Sequence, residues 1–412
     1  MITNKKKIIN DPVYGFINLP YNIVFDLIEH PYFQRLRRIK QLGLTHLVYP
    51  GALHTRFHHS LGAMHLMQMA LQTLKSKGVN ISEKENKAAL IAILLHDIGH
   101  GPFSHALENS ILPGVDHELL SEVFMKKLNE TFEGELSLGI NIFKNEYSKG
   151  FLSQLVSSQL DTDRLDYLTR DSFFTGVSEG VIGTQRIIKM LNVADDNLLV
   201  EEKGIYSIEK FLVARRIMYW QVYLHKTVLA AETILIKILE RAKYLSSQGS
   251  ELFTTPALNY FLKNSISKEE LLNNDEVIER FALLDDADIS ASIKSWVHED
   301  DLVLSTLSKA LVNRKLFTCE IQKEPFDYFR IEKLKDKIME TYKLKSEEEL
   351  SYFLISDTTS NYAYKPGNDK INMLSKSGKV KDIVEASDQL NTYNFNKAVI
   401  KHFICYPKGI NI

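Results

Sequence analysis

LLHDIGHGPFSH, residues 94–105, is the stretch that decides how this chain is read. It follows directly on an uncharged apolar run, AALIAILL at 88–95, which belongs to a buried helix. The run stops at His96-Asp97, and Gly99, Gly101 and Pro102 then break the helix. An apolar helix carries that carboxylate into the interior, where an unpaired charge is costly. A divalent cation offsets the cost. Imidazole and carboxylate without thiolate suit borderline or hard ions: Zn, Fe, Mn, Ni or Mg.

Histidine is concentrated around this stretch. Of 13 in the chain, eight fall between positions 54 and 117, where even scatter would put about two. Imidazole is the commonest protein metal ligand and the natural acid–base group near neutral pH. Any one of these residues could be an ordinary core or surface histidine; the cluster points to a site. His96 and Asp97 are too few to hold an ion, so partners must come from elsewhere. TRFHHS offers His58 or His59, and DTDRLDYLTRD (161–171) offers acids. Asp163, Tyr167 and Asp171 recur every four residues and share one helix face. That stripe reads either as a solvated face or as a pocket wall. The apolar FLSQLV before it favours the pocket.

The surrounding pattern predicts a mainly α protein. A helix opens in YNIVFDLIEH and is interrupted at Pro31. A long helix is expected from Thr55 to Lys77, and the next from Ser82, with Glu85 completing a capping box. Further helices are expected over 117–130, 151–171 and 183–192. A small β-hairpin is expected in 197–208 around Lys203-Gly204, and one very long helix from Ser207 to Leu245. On that last helix Arg215, Tyr219, Tyr223 and Lys226 would lie on one face, as a solvated stripe or as the wall of a cleft for phosphate and sugar. Beyond residue 300 the texture changes, with strand-like 352–357, 371–374 and 402–407 among helices at 331–342 and 385–392. The expected organisation is a helical core over 1–300 and a smaller α+β unit over 301–412, packed together.

Composition bounds the class. At 412 residues, 44% apolar and 25% charged, the chain has the balance of an ordinary globular protein. A net charge of −2 gives no reason to expect nucleic acid as a partner. Cys319 and Cys405 are far apart in sequence and lack metal-ligand spacing, which suits a reducing compartment. The N-terminus has no signal-peptide pattern and no apolar run is long enough to span a bilayer, so a cytoplasmic location is expected.

These motifs are similar to those of the HD-domain phosphohydrolase superfamily, and most resemble the deoxynucleoside triphosphate triphosphohydrolases. The resemblance runs over about residues 5 to 320. It rests on KIINDPVYGFINL (7–19), HPYFQRLRRIKQLG (30–43), YPGALHTRFHHSLG (49–62), LLHDIGHGPFSH, DHELLS (116–121), DTDRLDYLTRD and ARRIMYWQVYLHK (214–226). It implies an HD-domain helical core and a divalent metal on His59, His96, Asp97 and Asp163. It implies that His105 protonates the leaving oxygen, that His117 and Glu108 orient and tune that step, and that His100 meets the phosphate. Glu108 stands where the family usually has Asp. By the same resemblance Arg56, Arg164, Arg215 and Lys226 hold phosphates, and Tyr167 and Asp171 meet the sugar. Tyr223 with Gln41 and Leu42 closes over the 2′ position. Tyr219 replaces a family histidine. Relatives are activated by nucleotides bound between subunits. Lys7, Asn10, Gln34, Arg37, Arg186 and Arg314 match positions used there, with Glu29 in place of the usual Asp. The expected partners are therefore a dNTP substrate, an effector nucleotide and further copies of the chain in a dimer or tetramer. Two rivals stay open: an HD enzyme for another phosphoester, such as a monophosphate or cyclic nucleotide, and a nucleotide- or nucleic-acid-binding protein with a vestigial HD site.

Overall fold

A computed structural model describes residues 7–103, 110, 112, 114–362, 364–365, 370–390 and 398–410. Two helices form the centre, and their sequences explain why. Arg56–Ser76 buries residues on every side, including Phe57, Leu61, Met64, Met67 and Leu71. Glu83–Leu95 starts on the expected capping box: the Ser82 side chain accepts from the Glu85 amide, and the Glu85 carboxylate accepts from the Ser82 amide at 2.7 Å. Ala88 through Leu95 are then at most 4% exposed. Thr162–Thr175 packs against Arg56–Ser76 from a second side. No helix among the described residues is long and apolar enough to cross a membrane.

Several expected boundaries move, each for a local physical reason. The helix expected over 151–171 is two, Gly150–Val156 and Thr162–Thr175. Asp161 separates them by capping: its carboxylate accepts from the Arg164 amide and the Ser158 amide, both at 2.7 Å. The long helix expected from Ser207 to Leu245 ends as α-helix at Met218 and passes through a π-helical turn, Tyr219–Tyr223. There the Leu224 amide reaches back to the Tyr219 carbonyl at 2.7 Å. His225 caps a fresh helix, Lys226–Ser247. Lys226 therefore does not continue the face of Arg215, Tyr219 and Tyr223. The helix expected over 183–192 is Thr184–Met190.

The described residues include nine strands. β1 (Lys7–Asp11) and β2 (Gly15–Leu19) form a hairpin that periodicity did not reveal. β3 (Leu191–Ala194) and β4 (Asn197–Glu201) form the hairpin expected nearby. It turns at Asp195-Asp196, both with positive φ, whereas Lys203-Gly204 lies in the helical turn that follows. β5 (Thr318–Gln322) and β6 (Ile355–Asn361) flank β9 (Val399–Tyr406) in one antiparallel sheet. β7 (Asn372–Leu374) pairs in parallel with β4, and β8 (Val380–Asp382) extends that sheet. Strands from beyond residue 370 thus complete a sheet begun at 191. Gln159 adds a clasp, with its side chain donating to the Lys365 carbonyl at 2.6 Å and accepting from the Lys365 amide at 2.8 Å. The helix expected over 331–342 is Tyr328–Tyr342. Of 385–392 the described residues show α-helix at the end of a short turn, Ile383–Ala386. Cys319 and Cys405, far apart in sequence, are directly opposite each other on β5 and β9, as free and buried thiols.

The capping box has a measurable consequence. Burial pushes the Glu85 carboxyl up, but Lys149, Tyr147 and Ser82 outweigh it and bring it down to about 2. A carboxyl depressed in the folded state adds stability above its unfolded pKa, and that stability is lost as pH falls through the folded value. Glu85→Gln should therefore cost about 2–3 kcal/mol at pH 7, and the difference from wild type should shrink between about pH 4.5 and 2. Urea unfolding of both proteins across that range checks it.

Candidate metal centre

Three segments far apart in sequence converge on one point. His59 lies in the first helical turns of Arg56–Ser76, His96 closes Glu83–Leu95, and Asp163 begins Thr162–Thr175. One ligand atom from each lies within 4.8 Å of the others. His59 Nε2 is 3.1 Å and His96 Nε2 is 3.5 Å from Asp163 Oδ1. The far nitrogens fix the ring orientations. His59 Nδ1 is 2.8 Å from Asp166 Oδ2, and His96 Nδ1 is 2.7 Å from the Ile93 carbonyl. Each ring therefore carries its proton on Nδ1 and presents a lone pair at Nε2. Both Nε2 atoms are buried and lack a hydrogen-bond partner among the described residues.

Lone pair facing carboxylate oxygen is a repulsive arrangement unless a positive charge lies between them. Without a metal, a proton must serve. Burial alone would push the His59 imidazole down, yet Asp163 and Asp166 raise it to about 10. His96 is also raised, by Asp97 and Asp163 against burial. Two imidazole nitrogens and a carboxylate oxygen, converging in a site that demands positive charge, fit a divalent cation.

Asp97 borders this point. Its Oδ1 is 3.3 Å from His96 Nε2 and from His100 Nε2, and its Oδ2 is 3.7 Å from His59 Nε2. The same Oδ2 accepts from Arg56 Nη1 at 2.5 Å. Arg56, expected on phosphate, thus holds a metal-side carboxylate here. His100 stacks on His117 with ring centroids 3.9 Å apart. Gly99 lets this loop fold tightly: a Cβ there would lie 2.2 Å from the Ser121 amide nitrogen. Arg35 secures the loop from below, donating to the carbonyls of His100 and Ile98 at 2.8 Å each. His105 and Glu108 lie outside the described residues.

Further charged and aromatic side chains follow along Thr162–Thr175. Arg164 pairs with Asp161 and reaches within 3.9 Å of Asp163. Tyr167 is half-buried near Tyr219, Arg164 and Arg215, and its loss of solvent raises the hydroxyl above the ordinary tyrosine range. Arg215 is 7% exposed, and its Nε and Nη1 have no hydrogen-bond partner among the described residues. Arg164 Nε is likewise buried and unpartnered. Asp171 is filled from both sides: Oδ2 accepts from the Tyr223 hydroxyl at 2.7 Å and Oδ1 is 2.7 Å from His54 Nε2. Tyr219 and Tyr167 meet Tyr223 edge-on. The Gln41 amide donates to the His54 carbonyl at 3.0 Å, which places Gln41 and Leu42 beside this corner. Lys226 instead lines a separate 740 Å³ basic cavity with Lys309, Arg314 and Lys315.

The residues matched to an effector site gather in part. Lys7, Asn10, Glu29 and Arg37 line one 390 Å³ cavity with Phe25 and His58. Gln34 stands behind them, accepting from Arg37 Nε at 2.8 Å. Arg186 is elsewhere, donating to the Lys203 carbonyl at 3.1 Å, and Arg314 belongs to the other cavity. His58 caps its own helix: Nδ1 accepts from the Thr55 amide at 3.1 Å. His54, Asp166, Arg170 and Asp11 are parts of the site that sequence reading passed over. The signal for Asp166 was its three-residue offset from Asp163, which sets the two carboxylates on opposite nitrogens of one imidazole.

The geometry agrees with known proteins. The family described as HD domain matches residues 56–169, and the HD associated region matches 182–253. Protein YwfO of Bacillus subtilis is 32% identical over 427 aligned residues, covering 99% of this chain and 93% of its own. A crystal structure described as a phosphohydrolase from Bacteroides thetaiotaomicron superposes with a TM-score of 0.94 at 53% identity, covering 98% of this chain and 100% of its own. A protein named as a deoxynucleoside triphosphate triphosphohydrolase homolog in Dictyostelium discoideum is 34% identical over 239 residues, 53% of this chain and 46% of its own. With its buried histidine–aspartate cluster, its HD domain and its HD-associated region, the chain belongs to the HD-domain phosphohydrolase superfamily.

Proposed function

We propose that the protein hydrolyses deoxynucleoside triphosphates at the α-phosphate, releasing deoxynucleoside and inorganic triphosphate. The observation that carries this reading is a pair of guanidiniums with buried N–H groups that lack a hydrogen-bond partner among the described residues: Nε of half-buried Arg164, a side chain 3.9 Å from Asp163, and Nε and Nη1 of buried Arg215. Buried, unsatisfied guanidinium N–H is expensive and is matched by a phosphate chain. His59, His96 and Asp163, with Asp97 beside them, would hold a divalent ion. When bound, such an ion supplies an acidified water and a Lewis acid for a phosphoryl oxygen.

The chain's own groups do the rest. Arg56 ties down Asp97, so that the carboxylate keeps its place as charge moves nearby. His100, buried against His117, is pushed well below the ordinary imidazole range by burial and Arg56, so it meets a phosphate oxygen as a neutral ring. His105 and Glu108 are the groups proposed to deliver and tune the leaving-group proton. Asp171 is set to accept from a sugar hydroxyl at the corner where Tyr223 and His54 already hold it. The Tyr223 ring, with Gln41 and Leu42, is proposed to fill the space a 2′-hydroxyl would need. The cavity of Lys7, Asn10, Glu29 and Arg37 mixes cations for phosphate with a carboxylate for a base edge. That mixture supports activation by a nucleotide and, with it, assembly into a dimer or tetramer.

The deciding experiment incubates the Mn-loaded protein with the four dNTPs, GTP and a dNMP, with and without dGTP as activator, and separates the products by chromatography. Deoxynucleoside plus intact triphosphate with GTP spared is the expected result. Cleavage of the monophosphate alone would replace this reading with a general phosphohydrolase, and no turnover with metal bound would replace it with a nucleotide-binding protein. Asp163→Asn should lose bound metal, measured by elemental analysis, and activity should fall to background while the circular dichroism spectrum is kept. Tyr223→Ala should narrow the preference for dGTP over GTP by about tenfold or more in kcat/KM, since the ring that excludes the extra hydroxyl is gone.

A further inference from the structure

A line of buried charges runs from the first hairpin to the metal point. Asp166 Oδ2, which orients His59, also accepts from Arg170 Nε at 2.9 Å, and Asp166 Oδ1 accepts from Arg170 Nη2 at 3.0 Å. Arg170 Nη1 turns the other way and donates to Asp11 Oδ2 at 2.8 Å. Asp11 Oδ1 in turn accepts from the amides of Val13 and Tyr14 at 2.9 Å each, and so builds the β1–β2 turn. All four side chains are buried: His59, Asp166 and Arg170 at 0% and Asp11 at 6% residue exposure. Space for the line is made at Gly62, where a Cβ would lie 2.0 Å from Asp166 Oδ1 and 2.2 Å from Arg170 Nη2.

We propose that Asp11 is a positioning residue for the metal ligand His59, acting through Arg170 and Asp166, and that this line couples the β1–β2 hairpin to the metal centre. The inference rests on the reading of His59, His96 and Asp163 as a metal site. Charge counting gives the first reason. Two carboxylates share one guanidinium, so a net negative charge stays buried next to His59 and favours a cation on its far nitrogen. Neutralise Asp11, and Arg170 is matched by Asp166 alone; the pull on the metal side weakens. Geometry gives the second reason. The guanidinium is a rigid fork, so a shift of the hairpin turn moves Arg170 and with it the carboxylate that aims His59. Lys7 and Asn10 sit on the same hairpin and face the 390 Å³ cavity. A ligand drawn to those residues therefore pushes on a strand that is tied to the metal ligand.

A plain structural ion pair would hold the fold and nothing more, and the test separates the two. Mn2+ binding to the full chain is measured by calorimetry for wild type, Asp11→Asn and Asp166→Asn, and hydrogen exchange of residues 7–19 is followed with and without Mn2+. Asp166→Asn should weaken binding 10- to 100-fold, as removal of a ligand-orienting carboxylate generally does. Asp11→Asn keeps an oxygen for the two turn amides and should weaken binding about tenfold, with Asp11→Glu recovering most of it. In wild type, Mn2+ should slow exchange in 7–19, and this slowing should vanish in Asp11→Asn, since coupling between two sites is reciprocal. Wild-type metal affinity in a folded Asp11→Asn protein would overturn the role of Asp11. Unchanged exchange in the wild-type hairpin on adding Mn2+ would overturn the coupling, and this needs no variant at all. Unchanged affinity in Asp166→Asn would overturn the line from Asp11 to His59, whereas Mn2+ affinity unchanged by Asp163→Asn would overturn the metal-site reading itself.

Discussion

Two imidazole lone pairs and a carboxylate oxygen, held within 4.8 Å of one another in a buried place, form the constraint on which this structure turns. The arrangement is repulsive in itself and persists because packing imposes it. His59 is fixed by a helix buried on all sides, His96 by the end of a helix whose last eight residues are apolar and buried, and Asp163 by a helix whose start is pinned at Asp161. The large core is therefore the device that presents unsatisfied electron pairs to whatever positive charge enters. Burial sharpens the effect, since the attraction for a cation grows as water is excluded.

The same economy of charge extends outward. Near the metal point each acidic group meets a specific cation or imidazole: Asp97 meets Arg56, Asp161 meets Arg164, Asp166 meets Arg170, and Asp171 meets His54. Arg215 departs from that rule, with two N–H groups lacking any partner among the described residues. Carboxylates that are answered and guanidinium N–H groups that are left over give this region a chemistry suited to an anion. Tyr167 and Tyr219, packed edge-on against Tyr223, give that region a rigid, half-polar wall.

Much of this was legible in the chain, for identifiable reasons. The HD pair announced itself because an apolar run ending in His-Asp has few inexpensive explanations. The helices over 55–77 and from 82 followed from period and capping box, both local signals. The breaks at Asp161 and at Tyr219–Tyr223 were missed because the apolar pattern continues through them, while the backbone follows a carboxylate cap in one place and a π-turn in the other. The β1–β2 hairpin is short, and Asp11 makes sense only against Arg170, 159 positions away. His54 was hidden for the same reason: its partner Asp171 is 117 positions distant. Residues that could hold an ion carry a motif; residues that aim them are known by their neighbours.

The parallel pairing of β4 with β7 has a consequence for how the chain comes into being. β4 ends at Glu201, and its neighbouring strand does not begin until Asn372. During synthesis the free edge of β4 is complete and unpaired while some 170 further residues emerge, which takes about 10 to 35 seconds at about 5–20 residues per second. An exposed edge of this kind invites pairing with another chain. The polar turn Asp195-Asp196 at one end and the short length of the strand are its protection in that interval. The nascent chain must therefore keep the free edge of β4 from other chains until its last strands emerge.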